Sequence, residues 1–165
     1  MAVHSNLFLE NAQLMYPNFA GRAGTYNAEG ERNFKVVIPA DMADKLVEDG
    51  WLVKCKPPNA EGDPGVCLLE VHLRFDFFPP EIWSITSKHK TRLDEITCGM
   101  IDDMDFANID LEIRPYNWSN SSGLSGTKAM LKKFWGTVNE SAFDLKYADI
   151  PEGGNIQASY VEDEG

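Results

Sequence analysis

The strictest constraint on this chain is a two-residue rhythm that never runs far. Within Val66 to Phe78, the residues Leu69, Val71, Leu73, Phe75 and Phe77 alternate with Glu70, His72, Arg74 and Asp76, the pattern of a strand with one face in a core. It returns as Ile109, Leu111 and Ile113 against Asp110, Glu112 and Arg114. Turn-forming clusters cut these runs short. Pro17 to Asn33 is rich in glycine and asparagine, Pro79 and Pro80 stop the clearest strand, and SNSSGLSG separates the last two runs. Further strands are expected over Leu7 to Tyr16, Phe34 to Ile38, WLVKCK, EIWSIT and TKAMLKKFWGTVN, the last with room for a bulge and with an Ala, Met, Leu and Lys content that also permits helix. PADMADKLVEDG reads as the one short helix, with Met42, Leu46 and Val47 inward and Gly50 as its stop, and LDEITCGMIDDMDFA as helical turns. About six or seven strands with one helix suit a barrel or sandwich and exclude a doubly wound fold, which needs repeated strand and helix units.

At 165 residues the chain fits one domain, expected over 1–150, with 151–165 as a flexible acidic tail. No stretch reaches the ~20 apolar residues that span a bilayer, and MAVHSNLFLEN lacks a basic leader, so the expected setting is the cytoplasm, without membrane contact. Cys55, Cys67 and Cys98 are odd in number and widely spaced, which points to free thiols rather than a disulfide framework.

Fifteen Lys and Arg against 26 Asp and Glu leave a formal charge of -11, which as an average argues against a polyanionic partner. The distribution argues otherwise. Ile113 to Asn139 contains Arg114, Lys128, Lys132 and Lys133 and no carboxylate, and Ser84 to Arg92 contains Lys88, Lys90 and Arg92, again with no acid.

The usual chemical motifs are missing. His4, His72 and His89 lie apart without zinc-type spacing, and no phosphate-cradling or nucleophile-elbow sequence occurs. Asp102, Asp103 and Asp105, with Asp110 or Glu112, could hold Mg²⁺ as in a nuclease, but close acids alone set no coordination shell and read better as a solvated turn. No catalytic residue, metal or cofactor is expected.

Cations interleaved with aromatics are the stronger signal, because base stacking needs an aromatic face and phosphate needs a nearby charge. Phe19, Arg22, Tyr26 and Arg32 share the first long loop; Arg114, Tyr116 and Trp118 alternate and would share one strand face; Lys128, Lys132, Lys133 and Trp135 follow the second loop; Lys88 and Lys90 extend the track. Glu162, Asp163 and Glu164 would let a mobile end recruit a basic replication or recombination protein.

LMYPNFAGRAGTYNAEGERNFKVVI, the helix into DGWLVK, PPEIWSITS, and NIDLEIRPYNW with GTKAMLKKFWGTV together resemble a family of small bacteriophage early proteins, over about Leu7 to Tyr147. The resemblance implies a phage single-stranded DNA-binding protein with an OB-like core: a mainly β, five-stranded barrel with additional strands, one short helix and long loops, acting in replication or recombination inside the infected bacterial cell. Asn18, Phe19, Gly21, Tyr26, Asn27, Gly30, Arg32, Asn33 and Phe34 carry its first pattern, and Arg114, Pro115, Tyr116 and Trp118 its second. The expected function is non-enzymatic, largely sequence-independent binding of single-stranded DNA, with a homo-oligomer as a way to lengthen the DNA path. The competing reading is an accessory protein that binds or inhibits a host protein through its acidic surface.

Overall fold

In the computed structural model, which describes residues 5–25, 27–56 and 65–140, the alternating runs all enter one nine-stranded sheet. Its elements are β1 (Leu7–Leu9), β2 (Leu14–Asn18), β3 (Arg32–Ile38), α1 (Ala40–Asp49), β4 (Val53–Lys56), β5 (Val66–Leu73), β6 (Glu81–Ile85), β7 (Lys90–Leu93), a 3₁₀ turn over Cys98–Asp103, β8 (Phe106–Ser119) and β9 (Ser125–Val138). The main path is β1-β8-β9-β5-β3-β2; β4 adds to β5, and the β6–β7 hairpin adds to β9. One face of this sheet wraps a single core, to which β3 gives Phe34 and Val36, β5 gives Leu69 and Val71, β8 gives Leu111 and Ile113, and β9 gives Leu131 and Phe134. The mainly β, OB-like architecture stands, as one curled sheet that does not close into a ring.

TKAMLKKFWGTVN is a strand and not a helix, and the bulge its sequence permitted has a clear effect on facing. Glu112 pairs with Lys133 while Ile113 pairs with Leu131, so Lys132 is the extra residue. Leu131 and Phe134, three apart, therefore both point inward.

Helix α1 starts after Pro39 and buries Ala43 and Leu46. Gly50 ends it at φ 106°, with its N–H on the Leu46 and Val47 carbonyls, a backbone state that a side chain would strain. Val47, expected inward, is 53% exposed because one residue past Leu46 is about 100° further around the helix.

Three expectations need correction. The opening run divides at Asn11, whose φ of 51° turns the chain, so that β1 pairs with β8 and β2 with β3. The strand expected to reach Phe78 ends at Leu73: Phe75 still packs on the core, but Phe77 and Phe78 turn out to solvent. Cys55 and Cys67 are not free thiols but a disulfide, because antiparallel β4 and β5 set them directly opposite, with Cα atoms 3.9 Å apart. Cys98 is free and buried, and burial raises its thiol pKa although Arg32 beside it acts in the opposite sense. Among the described residues, no helix is long and apolar enough to cross a membrane.

Candidate nucleic-acid interface

Strand β5 is the hub of the site, because two strands share one of its edges. β4 pairs with it along Val66–Leu69 and β9 pairs with it at Val71 and His72, so the edge forks. Beyond that fork the ends of β8 and β9, from Tyr116 to Ser119 and from Ser125 to Lys128, pair only with each other among the described strands. They form a two-stranded arm, and between the arm, β4 and the end of α1 lies a groove of about 790 Å³.

Strand facing decides what lines it. Val36, Leu69 and Val71 point into the core, so their neighbours Lys35, Glu70 and His72 point to the opposite face. Lys54 and Lys56 pair with Leu68 and Val66 and share that face. On the arm, Ile113 is inward, so Arg114, Tyr116 and Trp118 are together on the outer side, opposite Met130, Lys128 and Gly126. The register joins Asn33, His72, Met130 and Arg114 into one row across β3, β5, β9 and β8.

Four lysines, Lys35, Lys54, Lys56 and Lys128, line the groove against one carboxylate, Glu70, a balance of four minus one, or +3. Trp118 stands on its wall, over Gly126, where a Cβ would be only 2.9 Å from the indole. On the opposite flank Lys35 lies over the ring of Tyr16, which is 64% exposed. His72 sits between these groups. Burial chiefly lowers its pKa; Glu70 opposes that, Lys128 adds to it and Glu31 opposes it, so the imidazole is neutral near pH 7.

A second cluster lies further along the same face of β9, roughly 30 Å from Gly126 to Trp135 if the strand were straight. Trp83 and Trp135 are register partners; Lys90 and Arg92 lie over Trp83, and Lys133 lies over Trp135. Asp110, Glu112 and Glu81 share this surface: Asp110 opposes Trp135 and Glu81 accepts from the Trp83 indole N–H. Its acids offset its cations, so the groove is the more electropositive of the two.

The expected residues therefore separate. Trp118 and Lys128 line the groove and Tyr116 and Arg114 adjoin it, whereas Lys90, Lys133 and Trp135 belong to the second cluster and Lys88 to the turn of its hairpin. Lys132 is held by Glu112, which is buried and also accepts from the Asn6 amide at 2.8 Å. Arg22 is exposed at the first loop and does not line the groove. Tyr26, Glu162, Asp163 and Glu164 lie outside the described residues.

Phe19 and Arg32 are corrections. Phe19 is wholly buried, stacked on Phe34 at 5.2 Å and edge-on to Phe134, so it offers no face to a base. Arg32 pairs with Leu73 on the core side, where its guanidinium donates to the Phe19 carbonyl and the Cys98 sulfur and lies over Phe75. Asn18, Asn27 and Asn33 of that motif are scaffolding as well. The Asn18 side chain clamps Arg22 through both its backbone N–H and its carbonyl, the Asn33 amide donates to Asn27 Oδ1 at 2.7 Å, and the Asn27 amide donates to the Glu31 carbonyl at 2.7 Å. Asp102, considered above as a metal ligand, accepts the N–H groups of Phe19 and Ala20 at 2.7 and 3.1 Å. Among the described residues, no group of His, Cys, Asp and Glu is arranged to hold a metal ion.

Residues missed by sequence reasoning are Lys35, Lys54, Lys56 and His72 in the groove and Tyr16 beside it. Each sits in an alternating or short extended run whose polar members read as ordinary solvent-facing positions.

Over residues 2–164 the sequence matches the family model described as "Putative phage ssDNA-binding domain". The chain belongs to this family. No curated protein matches it. Among solved structures, a C-terminally truncated single-stranded DNA-binding protein from bacteriophage Enc34 is 13% identical, with a TM-score of 0.52, covering 82% of this chain and 87% of that one. The Enc34 protein in complex with ssDNA is 15% identical, with a TM-score of 0.51, covering 84% and 89%. At such identities the likeness is one of fold, and the groove's chemistry rests on this chain's own residues.

Proposed function

We propose that this protein binds single-stranded DNA, largely without sequence preference and without chemistry of its own, in the groove between β4 and the β8–β9 arm. The observation that carries the reading is the convergence of Lys35, Lys54, Lys56 and Lys128 with Trp118 from four separated stretches of an otherwise acidic chain. Lysines neutralise phosphates and release counterions, while Trp118 and Tyr116 offer ring faces to bases of any identity. Membership of a phage family described by ssDNA binding supports this, as does the ssDNA complex of the Enc34 protein of the same fold. Occupancy of exposed strands in the infected cell would serve replication or recombination by keeping them unpaired. In this reading the acidic end, Glu162 to Glu164, recruits a basic partner of that machinery, and further copies of the chain lengthen the DNA path.

The test is fluorescence anisotropy of labelled oligo-dT across a salt series. Affinity should fall with salt at a log-log slope of about -0.7 per phosphate neutralised, and Lys54→Gln with Lys56→Gln should reduce the slope by about 1.4. Absence of binding at ~50 mM salt would overturn the reading.

A further inference from the structure

Beyond the groove, the end of β5 exposes two aromatic rings at backbone cost. Phe77 and Phe78 are 42% and 63% exposed and meet edge to face at 4.6 Å, and Phe78 has a φ of 53°, a state rarely adopted by bulky side chains. Strained backbone states of this kind cluster at ligand-binding and switch sites.

What the rings cover gives the partner's chemistry. Phe78 lies over the guanidinium of Arg114, with Cζ 4.6 Å from the ring centroid, and Phe77 meets the edge of Tyr116 at 5.9 Å. Beneath Phe78, Arg114 Nη2 is buried from solvent and has no hydrogen-bond partner among the described residues. A charged donor withheld from both water and protein acceptors is costly, and an anionic oxygen is the acceptor that satisfies it best. The neighbouring cation Arg74 is already engaged by Asp76 through two contacts, at 2.9 and 3.1 Å. The patch is also continuous with the groove, because Tyr116 stands directly opposite Lys128, a groove residue, and Arg114 is two residues along the same face of β8. From Trp118 to Arg114 is roughly 13 Å along the strand.

We infer that Phe77, Phe78 and Arg114 form a second nucleotide subsite, into which a strand leaving the groove continues. A base stacks on the Phe77–Phe78 pair, and the Phe78 ring swings off Arg114 so that Nη2 donates to the adjoining phosphate. The inference rests on the groove being the single-strand site, and it assigns the two phenylalanines a role that their place in an alternating run does not suggest.

The experiment measures binding of oligo-dT of about 4, 8, 12 and 16 nucleotides to the full chain and to Phe77→Ala/Phe78→Ala. Phe77→Leu/Phe78→Leu keeps apolar bulk without a ring, and Arg114→Gln removes the charge. Thermal unfolding establishes that each variant is folded. Both phenylalanine variants should bind the shortest oligomer like wild type and lose roughly 5- to 150-fold on the longer ones. Arg114→Gln should lower the salt slope for long oligomers by about 0.7. Wild type binding with both phenylalanine variants unchanged at every length overturns the subsite and leaves the groove intact. Wild type binding nothing overturns both. A wild-type dimer that the Phe→Ala variant converts to monomer, with DNA affinity unchanged, makes the patch a subunit contact and also overturns the subsite.

Discussion

Arg32 illustrates how a single cation in a glycine-rich loop can be misread from sequence. It looks available for phosphate, yet it is on the core side of β3, joining the Phe19 carbonyl to the Cys98 sulfur beneath the loop. Hydrogen bonds from a charged donor contribute about 1.5–3 kcal/mol, so Arg32→Gln should lower unfolding stability by that order and leave the DNA affinity of the folded fraction unchanged. Urea denaturation paired with anisotropy checks this; a loss of affinity at full stability would restore Arg32 as a DNA contact. Gly126 is the complementary case, a residue without a side chain that matters because of its neighbour. Its missing Cβ is the space occupied by the Trp118 indole, so Gly126→Ala must displace that ring. Binding should weaken by an amount approaching that of Trp118→Ala, about 1–3 kcal/mol, while thermal stability changes little. If Gly126→Ala binds like wild type, Trp118 is not a stacking platform in its present position.

At the scale of elements, β4 is short and pairs only with β5 among the described strands, yet it presents Lys54 and Lys56 to the groove. The Cys55–Cys67 bond ties it down between those lysines. The two cysteines are 12 apart in sequence, and closing a loop of that size in the unfolded chain is worth about 3 kcal/mol. Cys55→Ser with Cys67→Ser should therefore lower the stability of oxidised protein by about that much, read as a lower urea midpoint with the m-value fitted separately for each protein because the unlinked chain unfolds to a more open state, and reductant should have the same effect on wild type. A midpoint insensitive to both would mean that the bridge does not form in solution. The pairing had a sequence signal that counting cysteines missed: WLVKCK and VCLLE lie on either side of a turn-rich excursion, and folding them as a hairpin brings Cys55 opposite Cys67. The β8 face was easier to read, because Arg114, Tyr116 and Trp118 need only the two-residue period to share a side. The exposure of Phe77 was harder, since alternation continues past Leu73 after the backbone has left the sheet.

For the molecule as a whole, His72 couples the groove to pH. Burial keeps its pKa below the ordinary 6.5, so near that pH the folded state holds fewer protons than the unfolded one. Its contribution to stability is thus full above pH 6.5 and is lost as pH falls through 6.5 towards the lowered folded value. DNA binding has the opposite sign, because phosphate in the groove favours the imidazolium and raises the pKa in the complex. Affinity for oligo-dT should accordingly strengthen as pH falls from about 7.5 to 6, with His72→Gln flattening the dependence. A wild-type profile as flat as that of the variant would remove His72 from the DNA path.

The net charge of -11 belongs to the same scale, and by itself it points away from nucleic acid. Local sequence was enough to determine the mainly β character, most of the strands, the single helix with its Gly50 stop and the shared face of Arg114, Tyr116 and Trp118, but not β7 (Lys90–Leu93), which the turn-like SKHK conceals. All of these follow from periods of two or 3.6 residues and from turn chemistry, which act between near neighbours. Only the tertiary structure decided which cations meet. Lys35, Lys54, Lys56 and Lys128 converge because β4 and β9 share one edge of β5, while Phe19 and Arg32 leave the surface because the loop folds onto the core. Those outcomes depend on pairing between segments tens of residues apart, and no local period carries that information.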